Sequence, residues 1–188
     1  MAKYLKPEVL AQLDEYRRKI FALREEAYQL TNIDVLDNDT LSALSIYEIV
    51  RQYDPDYNIN FARNGEDAKS LDVDIEMKAS RIERKKRSGV YGLAGFQFHA
   101  MGNIEYNRYI LVTRDKATLS LIRIYDIAGA ENCLQIQAHL LGEREAWLAR
   151  GRKDQAKMKH DVIQLPEALL QTFTATSSMI DGVEVVRA

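Results

Sequence analysis

The stretch Gly65-Glu66-Asp67-Ala68-Lys69-Ser70-Leu71-Asp72-Val73-Asp74-Ile75-Glu76-Met77-Lys78-Ala79-Ser80 decides how the rest of the chain is read. From Asp72 onward it alternates: Asp72, Asp74, Glu76 and Lys78 hold one parity, Val73, Ile75, Met77 and Ala79 the other. A period of two marks a strand with one face on a core. The other face then carries three carboxylates and one ammonium in a row, with neighbours roughly 7 Å apart. That spacing suits a cation held among the carboxylates, with the lysine just beyond. Asp67 lies nine positions before Glu76, and a short turn would fold it back beside that residue.

At 188 residues the chain suits a single domain that buries around 70% of its unfolded surface. With 46% hydrophobic and 29% charged residues and three prolines, neither a disordered nor a fibrous chain is expected. Apolar runs fall well short of the roughly 18 residues a membrane span needs. The segment Met1 to Pro7 lacks the apolar core of a signal peptide, and the lone Cys133 leaves no disulfide framework. The expectation is a reducing, cytoplasmic compartment. The net charge of −2 conceals a segregation. Residues 1–77 carry a net −7, residues 78–123 a net +7 and residues 124–188 a net −2. Local field, rather than net charge, governs binding to a polyanion.

Pro7 to about Leu30 reads as a helix with Val9, Leu13, Tyr16, Ile20, Leu23 and Ala27 at a 3–4 spacing. Its charged flanks suit a helix that packs on a core or on a partner. Asp39 or Thr40 can cap a second helix running to about Tyr53. That helix is largely apolar, so Glu48 stands out: its carboxylate either snorkels at an edge or faces a cation. Tyr57–Arg63 alternates as a strand, and Asn64-Gly65 is turn-like. A basic loop, residues 81–89, follows the acidic strand. Further strands are expected at Phe96–His99, Arg108–Arg114 and Thr118–Ile127. A helix over Ala130–Arg150 follows, then a strand at 161–165, a brief helix from Pro166 and a last strand at Val183–Val186. This order implies a mixed sheet flanked by helices.

Hard divalent cations take carboxylate oxygens and keep several waters. Asp67 and Glu76, converging from adjacent strands, would supply such ligands, with a backbone carbonyl near Met77 as a third. Lys78 on the same face could orient or deprotonate a water, or stabilise developing charge. An exposed acidic strand face with one compensating lysine has the same residues and no chemistry.

The run Asn64-Gly65-Glu66-Asp67-Ala68, followed by Ile75-Glu76-Met77-Lys78-Ala79-Ser80, resembles the active-site hairpin of the PD-(D/E)xK nuclease superfamily. It is particularly similar to type II restriction endonucleases. The downstream order is similar too: a basic segment, a strand ending Phe98-His99, an aliphatic strand ending at Asp115, another strand, and Lys159-His160-Asp161-Val162-Ile163. The likeness covers roughly residues 57–165. It implies that Asp67 and Glu76 bind the metal and that Lys78 is the catalytic lysine. Glu48 matches the place of an extra acidic residue in many such enzymes. Residue 66 is Glu where the family name has Pro, while a literal Pro-Asp stands at Pro55-Asp56, also at a permitted distance from Glu76. Asp67 is preferred because Asp56 sits at a helix exit with a whole strand intervening. Asp72 and Asp74 take supporting places.

The implied protein is a Mg²⁺-dependent endonuclease, with Mn²⁺ able to substitute. It would hydrolyse double-stranded DNA in the manner of a type II restriction enzyme, on a restriction-endonuclease-like α/β (α+β) fold. Residues 1–53 form its helical N-terminal part, 54–165 the catalytic core and 166–188 a C-terminal extension. Arg81, Arg84, Lys85, Lys86 and Arg87, with Lys157, Lys159 and His160, are the candidate phosphate contacts, and Gln97 a candidate base reader. His99 and His139 read as structural, and Cys133 as a small core residue. Cutting both strands with one site per chain implies a homodimer, whose interface the N-terminal helices could supply. Two alternatives remain: a structure-specific repair or recombination nuclease, and a DNA-binding module without catalysis.

Overall fold

The centre of the sheet is the aliphatic run Arg108-Tyr109-Ile110-Leu111-Val112-Thr113-Arg114-Asp115, all eight residues of which are buried. A strand with no polar alternation is one covered on both faces, and its place in the sheet agrees. The computed structural model describes residues 6–34, 38–61, 67–82, 92–97, 106–115, 120–149 and 162–188. In chain order its elements are α1 (Pro7–Thr31), α2 (Asn38–Val50), β1 (Tyr57–Ile59), β2 (Ala68–Ser70), β3 (Val73–Ile82), β4 (Gly92–Gln97), β5 (Arg108–Asp115), β6 (Leu121–Ile127), α3 (Ala130–Ala149), β7 (Val162–Pro166), α4 (Glu167–Leu170), β8 (Thr176–Ile180) and β9 (Val183–Arg187). Seven strands form one mixed sheet in the order β1-β2-β3-β5-β6-β9-β8, and β4 pairs with β7 in a second ladder. The class is mixed α/β. By internal contacts the chain divides into Met1–Ile46 and Tyr47–Ala188, a boundary that falls within α2.

In the first unit, α1 starts with proline in its first turn and ends at Asn32, whose φ of 55° is the left-handed conformation that closes helices. The Asn32 N–H donates to the Tyr28 carbonyl at 2.7 Å. Asp14 pairs with Arg17 and Arg18, and Glu15 with Lys19, one turn apart. No residue of α1 is buried.

In the second unit, β2 and β3 form an antiparallel hairpin with Ala68 opposite Ile75 and Ser70 opposite Val73. Residues 68–82 therefore hold two strands joined by a tight turn, the fold-back expected to bring Asp67 toward Glu76. Leu71 opens the two-residue loop at φ 53°, and Asp72 follows without a positive φ. That pattern is the one in which type II′ turns carry glycine, so an exposed leucine there is strained. β3 runs parallel to β5, with Glu76 beside Tyr109 and Lys78 beside Leu111. β5 in turn pairs antiparallel with β6, Tyr109 with Ile127 and Leu111 with Tyr125.

Paired residues share a face of a pleated sheet, so Glu76, Lys78, Tyr109, Leu111, Tyr125 and Ile127 lie on one side. The last four pack there with Cys133, Ile136, Leu140 and Trp147 of α3 and with Leu165, Leu170 and Phe173. Cys133 is a core residue; burial pushes its thiol up to about 11. The opposite face holds Ile75, Ile110, Val112, Ile124 and Val185, each fully buried. Tyr57 lies on that face too; its ring sits 6.2 Å from that of Tyr47 in the last turns of α2.

Several bounds depart from the expected elements: α2 ends at Val50 rather than about Tyr53, and β4 begins at Gly92 rather than Phe96. The strand expected over Tyr57–Arg63 ends at Ile59, and Phe61 is exposed. β8 was not anticipated: Thr176-Ser177-Ser178-Met179 lacks an apolar alternation, and the strand is an edge with only β9 beside it. Asp181 and Gly182, at φ 47° and 78°, form the tight turn into β9. An Asp-Gly pair with both φ positive is the strong hairpin signal of a type I′ turn.

Candidate functional site

The β2–β3 register ends with Ala68 opposite Ile75, and Asp67, the residue before it, still bonds to β3. Three backbone and side-chain bonds hold Asp67 in place. Its N–H donates to the Ile75 carbonyl at 3.1 Å and its carbonyl accepts from Asn60 N–H at 2.9 Å. Its carboxylate Oδ2 accepts from the Met77 N–H at 2.8 Å. The side chain thereby continues the ladder by one rung where β2 has not yet begun.

Lys78, two residues after Glu76 and on the same face, turns its ammonium back into this group. It bonds Glu76 Oε1 directly and donates to the Met77 carbonyl at 3.1 Å. Asp67 Oδ2 lies 3.6 Å from the same nitrogen. Three oxygens from two carboxylates and one peptide thus surround one cationic atom. The Lys78 ammonium stands there as a monovalent cation among hard oxygen donors, the chemistry that Mg²⁺ or Mn²⁺ selects. Among the described residues no set of three His, Cys, Asp or Glu side chains forms a ready metal cage. Two carboxylates and a carbonyl nevertheless fit Mg²⁺, which commonly binds one or two protein carboxylates and keeps several waters.

Glu76 is only 9% exposed. Burial raises its pKa above the ordinary carboxyl value and Asp67 adds to the rise, while Lys78 and a hydrogen bond with Tyr106 oppose it. Tyr106, just before β5, is the member of this group that sequence reasoning missed. Burial and the adjacent Glu76 carboxylate push its hydroxyl well above the usual tyrosine range. Its ring meets that of Tyr109 edge-on at 6.0 Å, and Gln137 of α3 donates to its carbonyl at 3.1 Å. No local pattern announces Tyr106, because only the parallel β3–β5 pairing brings it to the hairpin.

The other candidates fall differently. Asp74 pairs across the hairpin with Lys69 at 3.3 Å, and Asp72 is exposed in the turn. Glu48 is exposed on α2, and Asp56 is exposed ahead of β1. Arg81 lies in β3 opposite Arg114, and Gln97 ends β4 opposite Val162. Arg84, Lys85, Lys86, Arg87, His99, Lys157, Lys159 and His160 lie outside the described residues. His139 is half-buried on α3.

A second charged cluster went unnoticed in the sequence. Arg108 grips Asp126 with two bonds, Nε to Oδ1 and Nη2 to Oδ2, both 2.7 Å, and its Nη1 bonds Asp54. Tyr53 donates to Asp126 at 2.8 Å and Ser70 to Asp54 at 2.9 Å. Tyr53, Asp54, Arg108 and Asp126 border an open cavity of about 480 Å³ that Thr174, Thr176 and Arg187 also line. The signal was available: Asp126 interrupts the apolar run Ile124–Ile127, and a carboxylate there needs a buried counter-ion.

Compared with models of protein families, with curated proteins and with solved structures, the chain gives no match in any of the three. Among the described residues no helix is long and apolar enough to cross a membrane.

Proposed function

We propose that this chain is a Mg²⁺-dependent endonuclease acting on double-stranded DNA, of the sequence-specific type II kind, on a restriction-endonuclease-like fold. The observation that carries the reading is the convergence of Asp67 Oδ2, Glu76 Oε1 and the Met77 carbonyl on the Lys78 ammonium. The likeness of this hairpin to the PD-(D/E)xK motif and the net +7 of residues 78–123 support it from the sequence.

Asp67, Glu76 and the Met77 carbonyl would hold the metal, which supplies a more acidic bound water and neutralises charge on the phosphodiester. Each remaining role belongs to the chain itself. The Met77 N–H fixes the Asp67 carboxylate so that it need not reorganise. The Tyr106 hydroxyl orients Glu76 and favours its charged form. Lys78, displaced from the carboxylates, orients a water or donates to the developing oxyanion. The basic residues after β3 would bind phosphates, which position the duplex without reading sequence.

Digestion of a long, mixed-sequence DNA with Mg²⁺, followed by sequencing of the ends, tests this. Ends at one short sequence support the restriction reading; ends at branches or nicks point to a structure-specific nuclease. One feature favours a binding module instead: Lys78 already neutralises the carboxylates, as a purely structural ion pair would. Binding of duplex DNA without Mg²⁺-dependent cleavage of any linear, nicked or branched substrate would put that module in place of the nuclease.

A further inference from the structure

The unexplained surface of the chain is α1. Over 25 residues it buries nothing, yet Val9, Leu13, Tyr16, Ile20, Leu23 and Leu30 are each 39% to 81% exposed. With Ala27 they recur at steps of 4, 3, 4, 3, 4 and 3 residues. Those residues make an unbroken heptad seam: Leu13, Ile20 and Ala27 occupy a positions, and Val9, Tyr16, Leu23 and Leu30 occupy d, with exposed Leu10 at e and Phe21 and Tyr28 at b flanking it on one side. A helix that rests on its own globular core shows a broader stripe at 3.6 residues; a seam at 3.5 suits a second helix wound against it.

The flanking charges select the occupant and its direction. Positions g hold Gln12, Lys19 and Glu26; positions e hold Leu10, Arg17, Arg24 and Thr31. In a parallel pair, g of one helix meets the next e of the other, which sets Lys19 against Arg24 twice. In an antiparallel pair, g meets g and e meets e. The register that stacks Ile20 on the second copy's Leu23, and Leu13 on its Leu30, sets Lys19 against Glu26 twice. The same register brings Arg17 near Arg24. Asp14 holds Arg17, Asp34 holds Arg24 and Glu15 holds Lys19 within their own chain in either direction, so what separates the two directions is that only the antiparallel one adds an opposite-charge contact, Lys19 with Glu26.

We propose that α1 is an antiparallel coiled-coil docking surface for α1 of a second copy, in the register that pairs Lys19 with Glu26. The inference stands on α1 alone and does not need the nuclease reading. Its experiment reads mass, whereas the digestion reads products, so either can fail without the other.

Sedimentation velocity of the full chain at micromolar concentration tests it. The wild type is expected to be a dimer, and Ile20→Asn, at an exposed position, a folded monomer. Glu26→Lys should weaken dimerisation roughly tenfold, since two attractive contacts become repulsive. The exchange Lys19→Glu with Glu26→Lys should restore it to within about threefold of wild type. A monomeric wild type, as when α1 packs on its own chain or on another protein, overturns the proposal. So does a dimer indifferent to Ile20→Asn, or a double exchange weaker than Glu26→Lys alone.

Discussion

Two clusters of like composition sit on opposite faces of the same sheet. Asp67, Glu76 and Lys78 lie on the face that α3 covers; Asp54, Asp126 and Arg108 lie on the other. Each sets one cation against two carboxylates, yet they are built to different ends. Arg108 presents a planar fork, and its two bonds to Asp126 plus one to Asp54 fix the group from all three of its nitrogens. Lys78 presents a single mobile ammonium, which makes one close bond to Glu76, one bond to a carbonyl and a 3.6 Å approach to Asp67. An arginine clamp holds a fold together. A lysine that can swing away leaves two carboxylates and a carbonyl ready for a stronger cation.

Substitution of the two cations should separate the clusters most sharply. Arg108→Ala strands two carboxylates, one of them only 4% exposed, and should cost about 3–5 kcal/mol of stability. Lys78→Met leaves the buried Glu76 without its cation, but that carboxyl, already raised by burial, can take up a proton, so the loss should stay within about 1–3 kcal/mol, while Mg²⁺-dependent cleavage falls by a factor of about 10² to 10³. Denaturant titrations beside single-turnover cleavage make the comparison. Equal losses of stability from both would erase the distinction.

Tyr106→Phe removes the hydroxyl that steadies Glu76 but leaves the ring against Tyr109. Cleavage should fall about tenfold or more, and stability by no more than about 1.5–3 kcal/mol, as for loss of a hydrogen bond to a charged group. Unaltered cleavage would take Tyr106 out of the site.

Leu71→Gly should stabilise the hairpin by about 1 kcal/mol, because leucine at φ 53° is strained and its side chain is 75% exposed. Thermal unfolding at neutral pH reads this, and a lowered melting temperature would contradict it.

The smallest effect is confined to acid. Burial alone would raise the Asp54 carboxyl, but bonds from Arg108 and Ser70 outweigh it and hold the pKa below 3.8. A carboxyl depressed in the folded state contributes fully above the unfolded value and loses that contribution as pH falls through the folded one. Below pH 3.8 the wild type should therefore lose stability more steeply than Asp54→Asn. Parallel slopes in acid denaturation would show that Asp54 contributes nothing there.

Local pattern carried the hairpin and the helices. Alternation over 72–79 placed β3 and the parity of Glu76 and Lys78, and the apolar stretch within Arg108–Arg114 marked a strand, which the structure buries on both faces. What escaped notice depends on partners far along the chain. Tyr106 and Arg108 acquire meaning only when β5 lies beside β3, thirty residues upstream, and Asp54 only when the chain leaving α2 reaches that face. Glu48 was singled out because it breaks an apolar pattern, yet the helix turns it to solvent. The Asp181-Gly182 turn was legible, and its neglect cost β8.

The two-residue turn at Leu71–Asp72 also fixes the order in which the site assembles. A loop this short closes with little entropy loss, on the order of 1–10 μs for a hairpin. Asp67, Glu76 and Lys78 can therefore meet before the long crossover to β5 is made. The parallel β3–β5 contact, with Ile75 beside Arg108, closes later. In any partly opened state Tyr106 should leave while the three stay together. Amide exchange would show this as loss of protection through β5 ahead of Met77, and the reverse order would mean that the hairpin depends on the sheet for its existence.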